Sequence, residues 1–124
     1  MEVLKQMATR GEVGIKNDNG FIVSAYNHFD SYIEGLGKTL VGEYNTAELA
    51  RKFINRIIDS DVTKCSLYNS EEDYCKINET SDLNYIYLFK NNEWLYKKAP
   101  FDSEWYSVKD DLNANVNIHE TGLS

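Results

Sequence analysis

The chain has 124 residues, 42% of them hydrophobic and 27% charged, which is enough for a single domain with one real core. Twenty acidic against 13 basic residues give a net charge of −7, which argues against a binder of DNA or RNA polymers and against adhesion to an anionic membrane. No apolar run approaches the roughly 20 residues of a spanning helix, and nothing in residues 1–7 supplies the apolar core of a secretory signal. The expectation is one cytoplasmic domain over residues 1–124, with 1–11 as an arm and 113–124 as a polar tail.

In chain order, Glu12–Lys16 and Phe21–Tyr26 flank Asn17-Asp18-Asn19-Gly20, whose Asn and Gly residues supply the positive φ angles of a tight hairpin. Both faces of Phe21–Tyr26 are fairly apolar, as in an interior strand. After a polar and aromatic connector, Asn27–Glu34, the spacing of Leu36, Leu40, Val41 and Tyr44 predicts a short helix over Gly35–Tyr44. Asn45, with Glu48 three positions on, reads as a capping box for the next helix. That helix, Thr46–Ile58, carries Ala50, Phe53, Ile54, Ile57 and Ile58 on one stripe. Val62–Tyr68 and Tyr74–Ile77 read as strands either side of Asn69–Asp73. Asn84–Lys90 and Glu93–Lys98 read as a hairpin turning at Asn91-Asn92, with Pro100 ending it. Trp105–Leu112 reads as a last strand or helical turn. Together these give an α+β fold: a largely antiparallel sheet of about five or six strands with two consecutive helices packed on one face.

Few residue patterns point to chemistry. Gly35-Leu36-Gly37-Lys38-Thr39 ends like a phosphate-cradling loop, but the first glycine of that motif would fall at Tyr32. The glycines read rather as easing a tight helix start, whose N–H groups are also candidates to face a ligand phosphate. His28 and His119 lie too far apart for a recognisable metal ligand set. His28 with Asp30 is an unsupported acid–base pair, and no Ser or Cys has an activating context. Cys65 and Cys75 are expected as reduced thiols, with a disulfide across a hairpin as the lesser reading.

Residues 84–106 hold eight of the chain's 16 aromatic rings, more than one face of two strands buries, so some are expected to line a pocket and stack on a flat ring. Only three arginines exist, and Arg51 and Arg56 share the polar face of the second helix, which makes them the candidates for bidentate phosphate contact. Charge is uneven. Residues 1–58 are net zero and residues 59–83 are net −5, so local arginines could serve a small nucleotide despite the acidic whole.

Three stretches then carry a resemblance: Thr9-Arg10-Gly11-Glu12-Val13-Gly14-Ile15, Tyr26-Asn27-His28-Phe29-Asp30-Ser31-Tyr32, and Gly35-Leu36-Gly37-Lys38-Thr39-Leu40. With Asn84–Phe89 and Glu93–Tyr96 they resemble the phage Thoeris anti-defence sponge family over most of residues 9–112. Ser31 stands where that group has Gly, and Ile33 where it has Pro. The resemblance implies a viral counter-defence protein that sequesters a cyclic ADP-ribose isomer made by a bacterial TIR-domain enzyme, without cleaving it. It also implies homo-oligomers, dimers or assemblies of dimers, and in some relatives binding of cyclic oligonucleotides. No catalytic residue, metal or cofactor is expected. By residue type, Phe29, Tyr32, Trp94, Phe101 and Trp105 are assigned to base stacking, Arg51, Arg56 and Lys109 to phosphate, and Asn92 to a polar contact. An acidic inhibitor of a host defence protein or nuclease, using Glu71-Glu72-Asp73, is the alternative. An enzyme acting through His28 and Asp30 is a third.

Overall fold

A computed structural model describes residues 9–79 and 82–114. The expectations for residues 1–8, for His119 and for the tail beyond 114 lie outside the described residues. The fold is α+β around a six-stranded mixed sheet in the order β3-β2-β1-β4-β5-β6. β1 (Gly11–Lys16) and β2 (Ile22–Asn27) form the first hairpin, and β3 (Cys65–Tyr68) pairs antiparallel with β2. β4 (Tyr85–Lys90) and β5 (Glu93–Lys98) form the second hairpin, and β6 (Tyr106–Ser107) closes that edge. The hairpins join through β1 and β4, the one parallel pairing among the five, with Val13 opposite Tyr87.

The turns follow from their residues. In the first, the Asn17 carbonyl accepts from Gly20 N–H at 2.9 Å, and Gly20, at φ +91°, is the residue of this turn in the left-handed region. In the second, Asn91 and Asn92 take φ of +53° and +66°. That pair of angles is what a two-residue hairpin of matching twist requires.

The helical layer covers one sheet face. The connector after β2 enters a π-helical turn, Ile33–Gly37, which continues into α1 (Lys38–Glu43). α2 (Ala47–Ser60) lays Ala50 and Ile54 against Val13, Ala25, Tyr87 and Trp94. Its cap is Thr46, not Asn45: Thr46 is extended and its hydroxyl accepts from Leu49 N–H at 3.2 Å. Starting the helix one residue later puts Leu49, not Glu48, at the third helical position, so there is no capping box.

The other face is covered by the chain between β3 and β4. Here the expected strand Tyr74–Ile77 does not exist. Val62–Lys64 is a 3₁₀ turn, so β3 is shorter than expected, and the stretch read as its following loop starts α3 (Glu71–Cys75). Ser70 caps α3 by accepting from Asp73 N–H at 3.1 Å, and three acidic residues fill its first turn, where the helix dipole favours them. A second cluster under this segment joins Ile22, Tyr74, Leu83, Ile86, Leu88 and Phe101. Trp105–Leu112 is partly strand and partly helix: after β6, α4 occupies residues 108–114, with the Ser107 hydroxyl accepting from Asp110 N–H at 3.2 Å. No helix among the described residues is long and apolar enough to cross a membrane.

The cap assignment yields a prediction. In urea denaturation, Thr46→Ala should cost about 1 kcal/mol, while Asn45→Ala and Glu48→Ala should each stay within about 0.5 kcal/mol of the parent.

Candidate functional site

The nine residues assigned to ligand contact do not converge. Asn92, Trp94 and Lys109 share a cleft of about 290 Å³ at the helix side of the β4–β5 turn, with Val41, Asn45, Phe89 and Glu93. Trp94 is only 3% exposed, sits edge-on to Phe89 and donates its Nε1–H to the Tyr44 carbonyl at 2.8 Å. Phe101 and Trp105 line a larger cleft of about 580 Å³ on the opposite face, with Lys76, Lys97, Cys75, Pro100 and the acidic Glu71, Glu72 and Asp102. Lys97 Nζ lies 4.9 Å from the centroid of the Trp105 ring, and Trp105 is near-parallel to Tyr74. Phe29 is exposed beside His28, and Tyr32 packs its ring near Gly35. Arg51 and Arg56 lie exposed on α2, where Arg56 donates to the Tyr44 hydroxyl at 2.8 Å. None of these last four lines any of the three clefts described here.

The aromatic surplus of residues 84–106 resolves by strand parity. Tyr85, Tyr87, Phe89, Trp94 and Tyr96 face the helices, Phe101 and Trp105 reach the second face, and Tyr106 stays 52% exposed.

The connector motif is built for packing. Ser31 is fully buried and accepts from Tyr87 through its carbonyl at 2.6 Å. Asn27 donates to the Ser31 hydroxyl at 2.7 Å. The N–H groups at the glycine-flanked helix start are taken by the connector itself: Leu36 N–H donates to the Asp30 carbonyl at 2.8 Å, and Gly35 N–H to that of Tyr32 at 3.1 Å. A phosphate would have to displace those acceptors, so the phosphate reading of this stretch is not supported. A Cβ on Gly35 would come within 2.6 Å of the Asp30 carbonyl, which is why glycine stands there. His28 shares a 2.7 Å hydrogen bond through Nδ1 with the Tyr26 hydroxyl. Cys65 and Cys75 are free thiols, both half-buried. Among the described residues no group of three metal-ligating side chains occurs. Within the acidic run, Glu71 is held by Lys16 and by Lys90 at 2.8 Å, while Glu72 and Asp73 are exposed.

The third cleft, about 420 Å³, was not foreseen from the sequence. Arg10, Glu12, Tyr26, Ser66, Tyr68, Ile77, Asp82 and Leu83 line it. Glu12 is 3% exposed, and one carboxyl oxygen accepts from the Ser24 hydroxyl at 2.6 Å. Burial pushes its carboxyl up to about 7, and the Ser24 hydrogen bond only partly opposes that. The available signal was strand parity. If Val13 and Ile15 face one way, Glu12 and Gly14 face the other, and Ser24 and Tyr26 stand on that same face of β2.

A raised carboxyl makes stability fall as pH rises. The unfolded chain releases the Glu12 proton near 4.5 and the folded chain near 7, so between those values the native state holds more protons. The loss across that window is about 3 kcal/mol. Glu71 is shifted downward, so its contribution changes below that window. Glu12→Gln should therefore flatten the urea-midpoint profile between pH 5 and 7 and leave the protein more stable than the parent at pH 8.

No protein-family model, curated protein or solved structure matches the chain.

Proposed function

We propose that the chain is a viral counter-defence protein, acting in the cytoplasm of a bacterial host, that binds and sequesters a cyclic ADP-ribose isomer made by a TIR-domain enzyme, without cleaving it. The observation that carries the reading is the 580 Å³ cleft, which sets aromatic rings beside two lysines, Lys76 and Lys97, among three carboxylates, Glu71, Glu72 and Asp102, with Lys76 3.8 Å from Glu72. Its size lies within the roughly 300–1,000 Å³ of small-molecule sites. A cyclic dinucleotide-like ligand needs an apolar ring surface for its base and cations for its phosphates, and the half-buried Trp105 and these lysines are of those types, while Phe101, 2% exposed, backs the cleft from the core. Lys97 is 9% exposed and already lies against the indole, so a ligand phosphate would meet a cation held in place. The motif resemblance over residues 9–112 supplies the identity of the signal and the expectation of a homo-oligomer. Direct inhibition of a host protein through Glu71-Glu72-Asp73 is the second reading: Glu72 and Asp73 are exposed, but Glu71 is engaged by two lysines.

Calorimetric titration with cyclic ADP-ribose isomers at micromolar protein should give saturable heat, and heating the complex should return the ligand intact. Trp105→Ala should weaken binding roughly tenfold, the scale of one lost base–aromatic contact. No heat with any isomer, or recovery of a linear product, would contradict the proposal.

A further inference from the structure

Among the described residues, the cleft over Glu12 has two polar groups without matched partners. Among the described residues no cation lies within ion-pairing distance of the Glu12 carboxyl, and the hydrogen bond it accepts comes from a neutral hydroxyl, Ser24. At the same cleft Arg10 keeps its Nε–H buried with no hydrogen-bond partner among the described residues, while its terminal nitrogen stands 3.9 Å from the exposed Asp82. Tyr26, Tyr68 and Leu83 supply ring and apolar wall between them. A carboxyl inside, aromatic walls, and a guanidinium with a free donor define a ligand by complement. The inner end must offer N–H donors, the middle must be flat, and the outer end must carry an anionic oxygen.

We propose that this cleft binds a small molecule presenting a paired N–H edge to the Glu12 carboxylate and an anionic group to Arg10. Two sources share that chemistry: a guanine nucleotide, through its ring N–H, amino group and phosphate, and free arginine, through its guanidinium and carboxylate. Both edges match two carboxylate oxygens in the bidentate manner that makes such pairs strong. Both are flat enough to lie against a tyrosine. The site is distinct from the 580 Å³ cleft and does not depend on the sequestration reading.

Binding of an N–H edge favours the charged carboxyl, so it should be accompanied by proton release near neutral pH. The other charged or titratable groups facing Glu12 are Arg10 and Asp82 on the flanking chain, Tyr26 on β2, Tyr68 on β3 and Tyr74 on α3. Burial raises all three tyrosines above their ordinary range, so they stay neutral throughout this window.

The test is calorimetry at pH 7 with guanosine monophosphate and with L-arginine, each in two buffers of different ionisation heat. One of the two is expected to bind with fractional proton release. Glu12→Gln should weaken it roughly tenfold or more and abolish the proton release. Adenosine monophosphate, whose acceptor beside its amino group fits only the neutral carboxyl, should bind more weakly, without proton release, and lose affinity from pH 7 to 8. Arg10→Ala provides a second variant at a partly exposed position and should also weaken binding. Three results would overturn the proposal: neither ligand binding at millimolar concentration, Glu12→Gln binding as tightly as the parent, or adenosine monophosphate binding equally well. Should Glu12→Gln not fold, unchanged affinity in Arg10→Ala overturns it.

Discussion

The parallel pairing of β1 with β4 organises the molecule. β1, β2 and β3 alternate in direction, so β3 runs the same way as β1, and β4 runs that way too. A chain leaving the far end of β3 must therefore travel back to the near end before β4 can start. The described parts of residues 69–84 make that return across the second sheet face, while α1 and α2 fill the first between β2 and β3. β1 is thereby covered on both sides, and every residue from Gly11 to Ile15 is buried. Gly14 lets the return segment lie close, since a Cβ there would stand 2.9 Å from Ile22 and 3.1 Å from Tyr74. Tyr74, fully buried, donates its hydroxyl proton to the Tyr87 carbonyl at 2.7 Å and so ties that segment to β4.

The same return segment gives two carboxylates opposite fates. Glu71 is desolvated, which alone would raise its carboxyl, but hydrogen bonds and charge from Lys16 and Lys90 bring it below the ordinary range. Glu12 is desolvated more deeply and meets a hydroxyl instead of a cation, so its carboxyl rises. One pairing anchors α3 to the ends of β1 and β4. The other leaves an unspent electrostatic preference inside a cleft. Both larger clefts open on this second face because a short helix and irregular chain do not cover a sheet as evenly as α2 does.

Local features were legible in the sequence where their causes are local. Gly20 and Asn91-Asn92 mark turns by backbone preference, and the Ala50–Ile58 stripe marks α2 by period. Tyr74–Ile77 misled because four residues with three apolar side chains suit a strand as well as a helix. The Ser70 cap and the acidic first turn were the better cue. Long-range causes left no comparable mark. Nothing within β1 announces a parallel partner 74 residues on, so the cover over Glu12 could not be read from its neighbours. The assigned contact residues scattered for a related reason. Arg51 and Arg56 were paired by helix face, but that face of α2 points to solvent, while Trp94 was recruited into the helix-side core.

What depends most directly on this arrangement is the state of the Glu12 carboxyl, because a return segment crossing β1 is what removes it from water. Carbon-13 NMR of the glutamate side-chain carboxyls, titrated from pH 4 to 9 with Glu12→Gln to assign the resonance, measures it in the intact chain. The structure predicts an inflection near 7 for Glu12. An inflection near 4.3, the value of a solvated glutamate, would mean that the second face of β1 is open and would contradict the account.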